Sequence, residues 1–329
     1  MTLPPEGVDD RMGVTFDNRI TRMLGVDIPI ANAPMGGVVT RDLVAATAEA
    51  GAIGVLPNAL TRDRDGIRAA RQLTARPLGA NIHAGAAEKT AIDVFVEEGI
   101  RFVTTCIGPV PRNVGRMQDA GLKVLHVVTS LDEAQAAADA GVDGLVVEGF
   151  EAAARRGESD IPLMVLLPLV TGRIDLPVIA AGGIADGASM AAAFALGAEG
   201  VSMGTRMIAS AESAVHDNYK QAVVSGAATD TIVINRHTGA PLRVLRTGTT
   251  ARYLDATAGD AFKDLVPSIV RLYGEGDMEA SFACLGMVAG RIEEVLPVRE
   301  ILRRTVDEFD AVVRGLAAQH GIRTVESPG

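Results

Sequence analysis

Short apolar runs rich in Val, Ile and Ala recur about every 20 to 25 residues through the first two thirds of the chain. They are PIANAPM (29–35), AIGVLPN (52–58), PLGANIH (77–83), FVTTCIG (102–108), KVLHVV (123–128), GLVVEG (144–149), VIAAGG (178–183) and GVSMGT (200–205). The stretches between them, such as TRDLVAATAEAG and SLDEAQAAADAG, open on a Thr or Ser N-cap and close at a glycine, as helices do. The runs are apolar throughout rather than alternating, which is the pattern of parallel strands covered on both faces. Eight such units predict an α/β fold of the (β/α)8 TIM barrel type. A doubly wound open sheet competes on pattern, but it would place its glycine-rich phosphate loop after the first strand. Here the first strand runs into Ala33-Pro34-Met35-Gly36-Gly37, and the glycine turns follow the seventh and eighth strands, at Gly182-Gly183 and Gly204-Thr205. Barrels commonly hold a phosphate at that strand pair, on backbone N–H groups.

The rhythm sets the boundaries. Residues 1–17 read as an N-terminal arm, 18–208 as the barrel, 209–295 as an appended helical lobe with one Gly/Thr-rich stretch (Thr238 to Thr250), and 296–329 as a C-terminal helix and tail. The last helix, expected from Val298 to Gly315, carries apolar residues at helical spacing and is expected to pack back on the barrel. A net charge of −10 with no Lys/Arg-rich block excludes a nucleic-acid surface. No apolar run approaches a membrane span, and the first 15 residues lack the apolar core of a signal peptide, so a cytoplasmic protein is expected. Two distant cysteines, Cys106 and Cys284, suggest neither a disulfide framework nor a zinc site. A homodimer is allowed, and nothing specifies one.

In a barrel the chemistry sits at the C-terminal strand ends. The residues there include Met35, Asn58, Asn81, His83, Cys106, His126, Glu148, Arg155 and the two glycine turns. No Ser-His-Asp order, HExxH or carboxylate cluster is among them, so hydrolysis and metal catalysis lack support. Small, mostly uncharged strand ends around a phosphate cradle suit a cofactor that brings its own chemistry, and flavin mononucleotide (FMN) fits. His126, inside an apolar strand, is expected to be a satisfied core histidine, and Cys106 a small buried hydrophobe. Tyr219, Tyr253, Tyr273 and His237 fall in the lobe and are candidates for a substrate pocket.

Four stretches together resemble the nitronate monooxygenase (2-nitropropane dioxygenase) family: IPIANAPMGGVVTRDLVAATAEAGAIG, VVEGFEAAARRGESDIPLMVLLP, LPVIAAGGIADGASMAAAFALGAEGVSMGTR and LGMVAGRIEEVLPVREIL. The resemblance covers about residues 18 to 314, and the GFE…DIP form is closest to the branch of NAD(P)H:quinone reductases. It implies an FMN-bearing barrel with a helical lobe closing over the flavin. By position, Ala33, Pro34 and Met35 would lie against the isoalloxazine ring and Asn81 would hydrogen-bond it. Gly182, Gly183, Gly204 and Thr205 would hold the phosphate, with Ala181 and Met203 beside them. Glu148, next to Gly149, stands where that branch has aspartate in contact with the flavin or its ribityl chain.

Two departures from the family pattern matter. The family's loop after the sixth strand reads GFE-x-(A/G)-G-H-x-G, and here Arg155 replaces the active-site histidine while Ala154 replaces the preceding glycine. A fifth-strand lysine of that branch is replaced by Val127. Arginine stays protonated, so Arg155 cannot be the base that deprotonates a nitroalkane. It can stabilise an anion: a nitronate, or a carbonyl that gains negative charge as hydride arrives. Otherwise Arg155 and Arg156 form a solvated loop pairing with Glu158 and Asp160. The activities implied are nitronate oxidation with oxygen, with Arg155 or His83 gripping the nitro group, or reduction of a quinone or enoyl thioester with NADH or NADPH as reductant. A barrel that binds FMN without turnover is the alternative of another class.

Overall fold

A computed structural model describes residues 13–57, 64–83, 89–106 and 108–320. Asn58 and most of the N-terminal arm lie outside the described residues. All eight apolar runs contribute a strand: β1 (Ile30–Asn32), β2 (Gly54–Leu56), β3 (Leu78–His83), β4 (Phe102–Cys106), β5 (Lys123–Val128) and β6 (Gly144–Glu148). A two-residue strand, β7 (Ala154–Arg155), follows in the next loop, and then come β8 (Val178–Ala181) and β9 (Gly200–Met203). Helices α1 (Arg19–Leu24), α2 (Arg41–Glu49), α3 (Arg64–Arg71), α4 (Lys89–Glu97), α5 (Val114–Asp119), α6 (Leu131–Asp139), α7 (Leu163–Thr171), α8 (Gly187–Ala195) and α9 (Thr205–Ile208) alternate with them. Thr40, Ser130 and Asp186 cap α2, α6 and α8 by accepting the N–H three residues on, as the sequence spacing implies.

The eight long-run strands form one parallel sheet in the order β1-β9-β8-β6-β5-β4-β3-β2. A bridge between Ala31 and Ile53 brings its two ends together. Asn32, fully buried, reinforces that seam: its Oδ1 accepts the Val55 N–H at 2.9 Å and its Nδ2 donates to the Val55 carbonyl at 2.9 Å. The side chain supplies what a longer β1 would have supplied from its backbone.

Two cores result. Ala31, Ile53, Val55, Phe102, Leu125, Val146 and Ile179 fill the barrel axis, and α1 plugs its N-terminal end with Ile20 and Leu24. Gly79 stands in register with Phe102 on the neighbouring strand, whose ring lies over it so that any Cβ there would collide with it. The outer core lies between strands and helices, and the last helix, α13 (Val298–Gln319), joins it by packing on α8 and α2 through Ile301, Leu302, Val306 and Phe309.

The lobe, expected as helices, also contains strands. After α10 (Asp217–Val224) come β10 (Thr231–Ile234) and β11 (Leu242–Leu245), then α11 (Gly248–Ala251) and α12 (Ala261–Leu265). β10 and β11 pair antiparallel, and β7 from the barrel adds to the free edge of β11, with Leu242 opposite Arg155 and Arg243 opposite Ala154. The loop after the sixth barrel strand therefore belongs to the lobe's sheet. Its two paired residues are too few for a period to show, which is why the sequence reads as loop.

Candidate active site

Strand alternation separates the strand-end residues by the face they occupy. Asn81, Cys106, Val127 and Glu148 share the parity of the axis residues Gly79, Phe102, Leu125 and Val146, and so face the barrel mouth. Asn81 is buried and its Nδ2 donates to the Thr104 hydroxyl at 2.9 Å and the Thr104 carbonyl at 3.2 Å; Cys106 Sγ lies 3.6 Å from the same nitrogen. Burial raises the Cys106 thiol above its ordinary range, and the Asn81 contact only partly opposes this. His83, exposed at the rim, stands in register with Cys106.

Glu148 ends β6 beside Ala181 and Gly149. The residue is half-buried, and its carboxyl makes no hydrogen bond or ion pair among the described residues. Burial pushes it up to about 7, with nearby Arg156 opposing the shift. His126 points the other way, buried, with Nδ1 2.7 Å from the Thr105 hydroxyl and its pKa lowered by burial. It is a satisfied core histidine.

The two glycine turns follow β8 and β9, next to β6 in the sheet. Gly182 and Gly183 both hold positive φ (92° and 74°), which L side chains rarely adopt. The N–H groups of Gly182, Gly183, Gly204 and Thr205 donate to no acceptor among the described residues. Four unpaired amides around two glycine turns fit an anionic group. The Thr205 hydroxyl is buried and accepts the Gly286 N–H at 3.0 Å, so the lobe already engages it and only its own proton is left to donate. Ala33, Pro34 and Met35 are half-buried beside these turns, with Met35 Sδ 3.7 Å from the point a Cβ would take on Gly204. Met203 turns its side chain into the outer core and its carbonyl accepts the Ala33 N–H at 2.9 Å, so that carbonyl holds the β1 loop in place.

Arg155 and Arg156 do not form the solvated pair set out above. Asp160 pairs with Arg236 at 2.8 Å instead. Arg155 is exposed, has no ion pair among the described residues, and acts electrostatically on Cys106. Gly157, two residues on, abuts Thr129 at the end of β5, so this segment runs from the end of β6 to that of β5. Arg156 is buried, and its guanidinium stacks on the Phe150 ring (4.6 Å to the centroid), as does that of Arg243 (4.4 Å). Glu151 caps α7 by accepting the Leu163 N–H at 3.0 Å, which accounts for part of the GFE…DIP motif structurally.

Sequence reasoning missed Arg243 and the buried state of Arg156. A charged residue within the apolar LRVL run was the one available signal for Arg243. Of the lobe tyrosines, Tyr219 is fully buried and donates to the Cys284 carbonyl at 2.8 Å, whereas half-buried Tyr273 packs on Gly37 beside the β1 loop.

A family model described as nitronate monooxygenase matches residues 17–93 and 80–308. A (3aS,4S,5R,7aS)-5-hydroxy-7a-methyl-1-oxo-octahydro-1H-indene-4-carboxyl-CoA dehydrogenase of Rhodococcus jostii is 35% identical over 237 residues, 71% of this chain and 67% of that protein. A probable nitronate monooxygenase of Staphylococcus saprophyticus is 31% identical, over 69% of this chain and 78% of that protein. Among solved structures, FabK from Thermotoga maritima superposes with a TM-score of 0.83 at 36% identity, covering 93% of this chain and all of that one (100%). A nitroalkane oxidase from Streptomyces ansochromogenes does so with a TM-score of 0.79 at 27% identity, covering 90% and 99%. With a parallel barrel, an amide cradle at the seventh and eighth strand ends and a family match over most of its length, the chain belongs to the nitronate monooxygenase family of flavin-dependent oxidoreductases.

Proposed function

We propose that the protein is an FMN-dependent oxidoreductase that exchanges a hydride and a proton with an acyl or enoyl thioester of the coenzyme A class. The observation that carries this reading is Glu148, an unpaired carboxyl at the mouth held near pH 7 by burial. A group poised there suits a reaction that moves a proton at neutral pH. A nitronate, already deprotonated, needs no such group. The 35% identity to a CoA-thioester dehydrogenase supports the same class.

Bound FMN would accept or supply the hydride, and the free amides of Gly182, Gly183, Gly204 and Thr205 would hold its phosphate. In the reductive direction Glu148 gives its proton to the carbon next to the thioester carbonyl. In the oxidative direction its carboxylate takes that proton. Arg155 offsets the negative charge that gathers on the thioester oxygen, as a fixed guanidinium can. NADH or NADPH is the reductant for the reductive direction.

Nitronate oxidation is the second reading, favoured by the exposed, unpaired Arg155 as a grip for an anionic substrate and by the name of the matching family. Anaerobic mixing of the FMN-loaded protein decides between them. Flavin bleaching by acyl-CoA, or by NADH or NADPH with reoxidation by enoyl-CoA, supports the thioester reading. Bleaching by nitronates alone supports the second, reoxidation by quinones but not enoyl-CoA points to a quinone reductase, and no bleaching by any of these sinks every enzymatic reading.

A further inference from the structure

Arg156 and Arg243 are 6% and 3% exposed, yet neither has a carboxylate within 4.0 Å among the described residues. Buried charges without counter-ions are costly and are retained where something compensates them. Here part of the compensation is a set of carbonyl oxygens in one loop. Arg156 Nη1 donates to Ala152 O at 2.8 Å and to Gly149 O at 3.4 Å; Arg243 Nε and Nη2 donate to Phe150 O at 3.2 and 3.1 Å. Arg156 Nε remains buried without a partner among the described residues.

The consequence lies on the far side of those peptides. A trans peptide points its C=O and N–H in opposite directions, and there are no cis bonds among the described residues. With the Ala152 carbonyl held by Arg156, the Ala153 N–H faces away from the guanidinium, and it donates to no acceptor among the described residues. Ala153 N lies 3.7 Å, and Thr205 Oγ1 2.8 Å, from the point a Cβ would occupy on Gly286. The same loop walls the other glycine turn, since a Cβ on Gly182 would sit 3.2 Å from Ala152 N. The loop from 149 to 153 is thus one side of the amide cradle, its peptide dipoles set from behind by two cations.

We propose that Arg156, backed by Arg243, is a positioning residue for the phosphate of the cofactor: it turns the Ala153 amide into the cradle and places a positive charge with no carboxylate in contact behind it. This rests on the FMN reading given above. Because the effect acts on the phosphate and not on the flavin ring, it separates FMN from riboflavin, which lacks only that group.

The test is the ratio of the two dissociation constants, read by flavin fluorescence on the full-length apoprotein. Arg156→Met should weaken FMN binding about tenfold or more and leave riboflavin within about twofold, the loss expected when a charge-assisted interaction disappears. Arg156→Lys keeps the charge but not the fork, should lower the ratio less, and carries the test should the methionine variant fail to fold. An unchanged ratio, or a parallel fall in both affinities, overturns the proposal and leaves Arg156 as a brace for the loop. A wild-type protein that binds both flavins equally, or neither, overturns the FMN reading as well.

Discussion

Ala154 lies in the left-handed backbone region, at φ 62°, directly opposite Arg243 in the ladder that joins the barrel loop to the lobe. The family pattern has glycine there, and the geometry gives the reason: only glycine adopts that φ without cost. The ladder and the buried Arg156 alongside hold the alanine in place. Ala154→Gly should therefore stabilise the protein by about 0.5–1 kcal/mol, the left-handed strain relieved less the extra entropy glycine loses on folding. A rise in Tm of about 1–3 °C is expected, and a fall would show that the turn is not strained.

Glu148→Gln tests the acid–base assignment. Turnover should drop by about 10²–10³ while the FMN affinity changes little, because proton transfer is lost and the cradle is not. A proportional loss of FMN binding would make Glu148 a cofactor ligand instead.

The same carboxyl makes a stability prediction. Its folded pKa is raised to about 7, above the ordinary carboxylate value, so the folded state holds the proton more tightly than the unfolded chain does. Stability from this group is fully present below the unfolded pKa and is lost as pH rises to about 7. Glu148→Gln should thus raise the unfolding free energy relative to the apo wild type at pH 8 more than at pH 4.5, by a difference on the order of 1–3 kcal/mol, read by urea denaturation at the two pH values. Equal shifts at both pH values would contradict it.

Arg155 is exposed and has no ion pair among the described residues, so removing it should leave folding unchanged. Arg155→Ala is expected to lower kcat/KM by an amount worth roughly 2–3 kcal/mol if the guanidinium meets developing negative charge. Unaltered kinetics would return it to the surface.

Asn32→Ala strips the Val55 N–H and C=O of both partners at the barrel seam. Two buried polar groups left unsatisfied cost about 2–4 kcal/mol, measurable by urea denaturation. A loss under about 0.5 kcal/mol would mean that the Ala31–Ile53 bridge closes the seam alone.

Periodicity and turn chemistry carried the barrel: eight apolar runs, their capped helices and the two glycine turns follow from local rules that hold whatever the rest of the chain does. The glycine turns and the strand-end places of Asn81 and Glu148 were legible for the same reason. His126 was legible too, since an apolar strand leaves a histidine little but the core. Arg155 and Arg156 were not separable by sequence, because adjacent residues of like charge take opposite faces only once β7 pairs with β11, eighty-odd residues away in the chain. The missing carboxylate partners of Arg156 and Arg243, and the rise of Glu148 to about 7, likewise depend on what the fold brings near and what water it removes. The sequence by itself determined the architecture and the places of the two glycine turns. The tertiary structure alone decided which charges are exposed, which are buried, and so which can do chemistry, because desolvation and long-range pairing are properties of the assembled fold and not of local sequence.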